Sequence, residues 1–378
     1  MAKHAYLSAS ASHRWLACPP SARLCAQEED RSSEFAMQGT CAHELGQYLL
    51  EKALGKAAED PTENLSYYDS EMQEAAEGYA AFVMEQVAAA KELCPDPLVC
   101  VEQTLDYSKW VEHGFGTGDC VIVADDLLQI IDLKYGIGVL VSAAGEDGSG
   151  NSQLKCYALG ALDTFGDLYN IKRIRLTIYQ PRRENVESFD MSVEELLNWA
   201  NTVLAPTAKL AYEGKGEFRA GDHCQFCKIK ATCRKRAEYH MELAKLDFPA
   251  PPTLSNDEIA GILGKLDTLT TWADDLKAYA LKKAMQGEQF PAFKLVEGRS
   301  VRKFTDEKQV AAVVSEAGYD PYEKKLLGVT AMTKQLGKKK FDELLGKYIV
   351  KPQGKPVLVP DTDKRPVYLS AKQDFEKE

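Results

Sequence analysis

Residues 119–124 and 127–134 are two short runs dense in Val, Ile and Leu, separated only by Asp125 and Asp126. Runs of that length bounded by a polar pair form neighbouring strands, with the two carboxylates turning the chain between them. A third such run, Leu98 to Leu105, precedes them, so the middle of the chain is committed to a sheet. Upstream, residues about 34–54 place Leu45, Leu49 and Leu50 at helical spacing, and residues about 69–93 form an Ala-rich helical run. Downstream, a Gly- and Ser-rich stretch from Gly145 to Ser152 leads into a predicted helix over 153–165 and a predicted strand over 173–180. The order helix, three strands, helix, strand predicts an α/β fold.

Ser192 and Glu195 predict a capping box for a helix near 193–212, and Ser255 with Glu258 predicts another for a long helix. In that long helix Leu263, Leu266, Leu269, Leu276 and Tyr279 recur at spacings of three, four or seven, which predicts a core-facing or pairing stripe. Between the two, Pro249, Pro251 and Pro252 cannot continue a helix and mark a domain boundary. We therefore expect a first domain over residues 1–248 and a helical C-terminal extension over 253–378, ending in an extended tail that carries Pro352, Pro356, Pro360 and Pro366. The start, Met1 to Ser10, lacks the charged and apolar blocks of a signal peptide, and no apolar run reaches the roughly 20 residues that span a bilayer. These features predict a cytoplasmic protein with no membrane partner.

Asp132, Leu133 and Lys134 end one apolar strand, and Asp119 opens its neighbour. Residues two apart on a strand share a face, so Asp132 and Lys134 are expected to project together with Asp119 reaching them from alongside. Carboxylates so placed suit a hard divalent cation, and a lysine beside them suits hydrolysis of a phosphodiester. Glu102, on the preceding strand, is a further carboxylate that could serve metal or water, or simply sit at a charged edge.

With its neighbours this set resembles the RecB-like branch of the PD-(D/E)xK nucleases. The resemblance runs through Gly39-Thr40-Cys41-Ala42-His43, through Gly116 to Asp119, through Asp132-Leu133-Lys134, and through Gln153 and Tyr157 four residues apart on a helix. It departs from many relatives in having Asp rather than Glu at 132. The resemblance implies a restriction-endonuclease-like core, a mixed central sheet flanked by helices. It also implies that His43, Asp119, Asp132 and the Leu133 carbonyl hold Mg or Mn, that Lys134 serves the attacking water, and that Gln153 and Tyr157 support the site.

Ten cysteines exceed what an inert core needs. Cys224, Cys227 and Cys233 are spaced so that three thiolates could wrap one metal centre. By the resemblance Cys18 is the candidate fourth ligand, and His223 is an alternative that would make a zinc site; spacing fits either zinc or an iron-sulfur centre. The resemblance implies a four-iron, four-sulfur cluster on Cys18, Cys224, Cys227 and Cys233, as in AddB-type helicase-nucleases and CRISPR-associated RecB-like exonucleases. Cys25, Cys41, Cys94, Cys100, Cys120 and Cys156 lack ligand spacing and read as small buried hydrophobes.

A net charge of −11 excludes a chain coated in phosphate-binding surface, which leaves local clusters to meet nucleic acid. Arg182 and Arg183 lie in one, after the last predicted strand, and Lys228, Lys230, Arg234, Lys235 and Arg236 form a denser second one around the late cysteines. The expected function is a metal-dependent DNA exonuclease that processes ends in phage replication or recombination. A phage single-strand-binding or annealing protein is the partner this implies. A silent DNA-binding or assembly protein and an endonuclease are the alternatives.

Overall fold

The computed structural model describes residues 5–29, 34–244, 255–296, 304–322 and 326–350. The prolines expected at the domain boundary (Pro249, Pro251, Pro252) and in the tail (Pro352, Pro356, Pro360, Pro366) lie outside the described residues.

Helices α1 (Ser12–Ala17), α2 (Pro20–Ala26), α3 (Glu34–Ala53) and α4 (Ser70–Leu93) come first, followed by strands β1 (Leu98–Asp106), β2 (Phe115–Ala124) and β3 (Leu127–Leu133). Helix α5 (Ser152–Phe165) then precedes β4 (Arg173–Gln180) and β5 (Asn185–Ser192). Helices α6 (Val193–Trp199), α7 (Ala205–Glu213) and α8 (Arg234–Ala244) follow, then α9 (Asn256–Met285), α10 (Glu307–Glu316), α11 (Val329–Leu336) and α12 (Lys338–Leu345).

The sheet is mixed, in the order β1-β2-β3-β4-β5. β1, β2 and β3 form an antiparallel meander, with β2 and β3 joined at the Asp125-Asp126 turn. β4 lies parallel to β3, which requires a crossover, and α5 supplies it. β5 pairs antiparallel with β4 and was not expected from sequence. Its alternate residues are exposed, so it is an edge strand with no continuous apolar run to mark it.

Alternation along β2 and β3 builds two cores. Val121, Val123, Leu128 and Ile130 pack with Leu154, Ala158 and Leu159 of α5 on one face. Cys120, Ile122, Ile131 and Leu133 pack with Leu50 of α3 and Tyr79, Val83 and Val87 of α4 on the other. The result is a three-layer α/β/α arrangement, the mixed sheet flanked by helices that the sequence predicted.

The helix expected over 193–212 is broken by a π-helical turn at Ala200–Leu204. Pro206 explains it, because a proline at the start of α7 offers no N–H to the turn before it. Gly214, in the left-handed conformation at φ 68°, ends α7.

The described chain divides into Met1–Pro252 with Thr268–Tyr279, and Thr253–Asp267 with Ala280–Glu378. Sequence placed the division at residues 248–253; here Thr268–Tyr279 joins the first unit. The reason is polar: Asp275 pairs with Arg236 at 2.7 Å and Lys230 at 2.9 Å, and Trp272 stacks on His240. The stripe is not core-facing along its length, since Leu263, Leu266 and Leu276 are exposed, Leu269 and Tyr279 are half-buried, and Trp272 and Asp275 make the contacts named above. In the second unit, α11 and α12 meet at Gly337 and Phe341 is buried.

Candidate functional site

His43 reaches the sheet from the middle of α3, Asp119 from β2, and Asp132 and Lys134 from the end of β3. The Lys134 ammonium lies 2.9 Å from Asp132 Oδ2, as expected for residues two apart on one strand. That ammonium is the charge partner of this buried oxygen. Asp119 uses both oxygens. Oδ1 lies 3.2 Å from His43 Nδ1, and Oδ2 accepts the Leu133 N–H at 2.6 Å.

Helix α5 delivers the next pair. Asn151 caps it by accepting the Gln153 and Leu154 N–H groups, which fixes where Gln153 begins. The Gln153 side chain then accepts from Lys134 Nζ at 3.0 Å and donates toward Asp132 Oδ1 at 3.2 Å and the Tyr157 hydroxyl at 3.1 Å. The glycine of the Gly116–Asp119 segment has a packing reason, since a Cβ on Gly116 would stand 2.8 Å from the Tyr157 ring.

Glu102 completes the acidic wall, a role the sequence left open against that of a charged edge. It sits opposite Asp119, at the gap in the register between Val101↔Cys120 and Gln103↔Gly118. Its backbone is left-handed at φ 48°, a conformation that costs a non-glycine residue roughly 1–2 kcal/mol. Among the described residues, His43, Glu102 and Asp119 are the one set of three or more ligand atoms lying within 4.8 Å of one another. No signal in the sequence announces the distorted backbone at Glu102.

Protonation follows from this crowding. Burial favours a neutral His43, yet the Asp119 charge and hydrogen bond overcome it and raise the imidazole to about 9. Burial and the Asp119 charge push Glu102 up to about 7. Burial also pushes Asp132 up, whereas His43, Lys134 and the Leu133 N–H hold Asp119 below the usual carboxylate range against its own burial. Burial opposes the Lys134 ammonium, but Asp132 and Asp119 keep its pKa raised.

The loop after Lys134 is pinned by Gln180, whose buried amide donates to Gly136 O and Val139 O at 2.7 Å and accepts the Val141 N–H at 3.2 Å. Arg182 beside it is bound to Glu71 at 2.9 Å and lies over the Tyr135 ring, and Arg183 donates to Ile137 O at 2.6 Å. Both arginines thus brace this rim.

The second basic group is similarly engaged. Arg236 is buried on Asp275, Lys230 pairs with the same carboxylate, Lys228 donates to Glu28 O, and Lys235 lies 3.9 Å from Glu238. Arg234 is exposed. Burial removes Arg236 from any phosphate-binding surface.

Cys18, Cys224, Cys227 and Cys233 line one cavity together with His223, Arg14 and Arg236. His223 Nε2 lies 3.0 Å from the Arg219 carbonyl oxygen. Cys25, expected to be an isolated buried thiol, lies 3.6 Å from the Cys227 sulfur.

Fold and site together define an α/β protein with a His-carboxylate-lysine centre on the interior strands β2 and β3 and a separate cysteine-lined cavity. The family described as "Protein of unknown function (DUF2800)" matches over residues 4–366, and the chain belongs to that family. A solved structure described as "Crystal structure of SSO0001" is similar over 53% of this chain and 98% of that one, with 13% identity and a TM-score of 0.24. Among the described residues no helix is long and apolar enough to cross a membrane.

Proposed function

We propose that this protein is a Mg- or Mn-dependent deoxyribonuclease of the RecB-like PD-(D/E)xK kind, working as an exonuclease on DNA ends in phage replication or recombination. The observation that carries the reading is the meeting of His43, Asp119, Asp132 and Lys134, drawn from a helix and two strands, with Gln153 and Tyr157 behind them. The donor set fits a hard cation: one imidazole nitrogen and the Asp119 and Glu102 carboxylates lie within 4.8 Å of one another, with the buried Asp132 carboxylate beside them. A bound divalent ion would supply charge for the scissile phosphate and lower the pKa of a water. His43, Asp119, Asp132 and the Leu133 carbonyl would hold it, with Glu102 as a further carboxylate.

The chain's own groups do the rest. Lys134, kept protonated by Asp132, presents an ammonium to the developing negative charge. Gln153 holds that ammonium and Asp132 in one orientation, and Tyr157 holds Gln153. The cysteine cavity supports a structural four-iron, four-sulfur centre. Cys18, Cys224, Cys227 and Cys233 line that cavity and would hold the centre. The reading places the protein in the cytoplasm, with a single-strand-binding or annealing protein as partner.

Incubation of linear and closed-circular duplex with purified protein and Mn tests the proposal. Degradation of the linear form alone, absent in Lys134→Ala, is the expected result. Cutting of circles would make it an endonuclease, and an inert wild type would make it a binding protein.

A further inference from the structure

Cys25 sits near the end of α2, and its sulfur touches that of Cys227 at 3.6 Å across 202 positions of sequence. Both residues are buried. The contact is fixed from each side. Lys228 donates its backbone N–H to the Cys25 sulfur at 3.3 Å, and Arg14 ties the start of α2 by donating to Ser21 O at 2.8 Å and Ser21 Oγ at 2.9 Å. Cys25 does not line the cavity that gathers Cys18, Cys224, Cys227 and Cys233, so it stands behind one of the four rather than among them. Two sulfurs in van der Waals contact need only small side-chain and backbone adjustments to reach the covalent separation of about 2.05 Å.

We propose that Cys25 and Cys227 are a thiol–disulfide pair, joined reversibly by a peroxide oxidant when the cysteine cavity carries no metal centre. One thiol is oxidised by hydrogen peroxide to the sulfenic acid with release of water. The other thiol attacks that sulfur, the S–S bond forms, and a second water leaves. Two thiols and one peroxide thus give one disulfide and two waters. The bond ties α2 to the 224–233 loop and so holds closed the part of the fold that a metal centre would hold. The inference stands on the sulfur contact. It rests on the cluster reading only for its timing, because a Cys227 engaged by metal is withheld from oxidation.

The test uses the full chain, with iron and the visible spectrum recorded first, then iron removed by a chelator, thiols reduced and hydrogen peroxide added. After alkylation and digestion, mass spectrometry is expected to find a peptide joining Cys25 to Cys227, with the chain lighter by two hydrogens and restored by dithiothreitol. Cys25→Ser is expected to lose the link, and the oxidised wild type to melt above the reduced one. Cys25 remaining fully alkylatable, or Cys227 joined instead to Cys224 or Cys233, overturns the proposal. If iron removal unfolds the chain, seen as loss of helical circular dichroism, the loaded protein is oxidised instead; iron release without the Cys25–Cys227 link then overturns it equally. A chain that never held iron but forms the link ends the cluster reading and leaves this one standing.

Discussion

Asp119 connects three elements at once, taking the His43 ring on one oxygen and the Leu133 N–H on the other. Any cation that takes the His43 nitrogen must displace its proton, so affinity for Mn is expected to rise with pH up to about 9. Calorimetry in two buffers of different ionisation heat would read both the affinity and the proton released, and His43→Gln should flatten the profile. Metal-free stability runs the other way. His43 is raised in the folded chain, so its contribution is complete below pH 6.5 and is lost as pH climbs through about 9. Thermal melting in chelator checks this sign. For Lys134→Ala the expected loss is about 10²- to 10⁴-fold in cleavage rate, measured in single turnover.

Close approach of α5 to the sheet sets what its side chains can do. A Cβ on Gly160 would lie 2.9 Å from Leu105 Cβ and 3.0 Å from its backbone carbon, and backbone cannot yield as a side-chain tip does. Gly160→Ala is therefore expected to destabilise the fold by about 1–3 kcal/mol in urea unfolding. Gly116→Ala meets only the Tyr157 ring, so it should cost less stability and more cleavage, by turning Tyr157 off Gln153. The elements differ in how far sequence revealed them. β2, β3 and α5 could be read because burial on both sheet faces demands near-continuous apolar runs there. β5 could not, since half its side chains face solvent. Asp132 and Lys134 were legible through the two-residue period of a strand. Glu102, set by a left-handed backbone, and Gln180, whose amide pins a loop more than 35 residues upstream, depend on tertiary placement that no local pattern encodes.

Across the whole first unit, α1 links the two polar centres. Cys18 follows its last residue, and Ser12 at its first bonds Ser152 at the head of α5 with 2.7 Å between hydroxyls. Cys233→Ser is expected to lose visible absorption and iron, lower the melting temperature, and also reduce cleavage, although it touches no residue of the carboxylate centre. Matched melting and activity curves in the iron-loaded protein and the variant would check both effects. Besides α5, α7 packs on both α1 and α2, and the turn at Asp222–Phe226 packs on α1. Every side chain of the carboxylate centre thus leaves the ribosome before α7 and that turn exist. A nascent chain halted after Ser192 carries His43 through Tyr157 and the α5 end of the Ser12–Ser152 bond, but α1 and α2 still lack their contacts with α7.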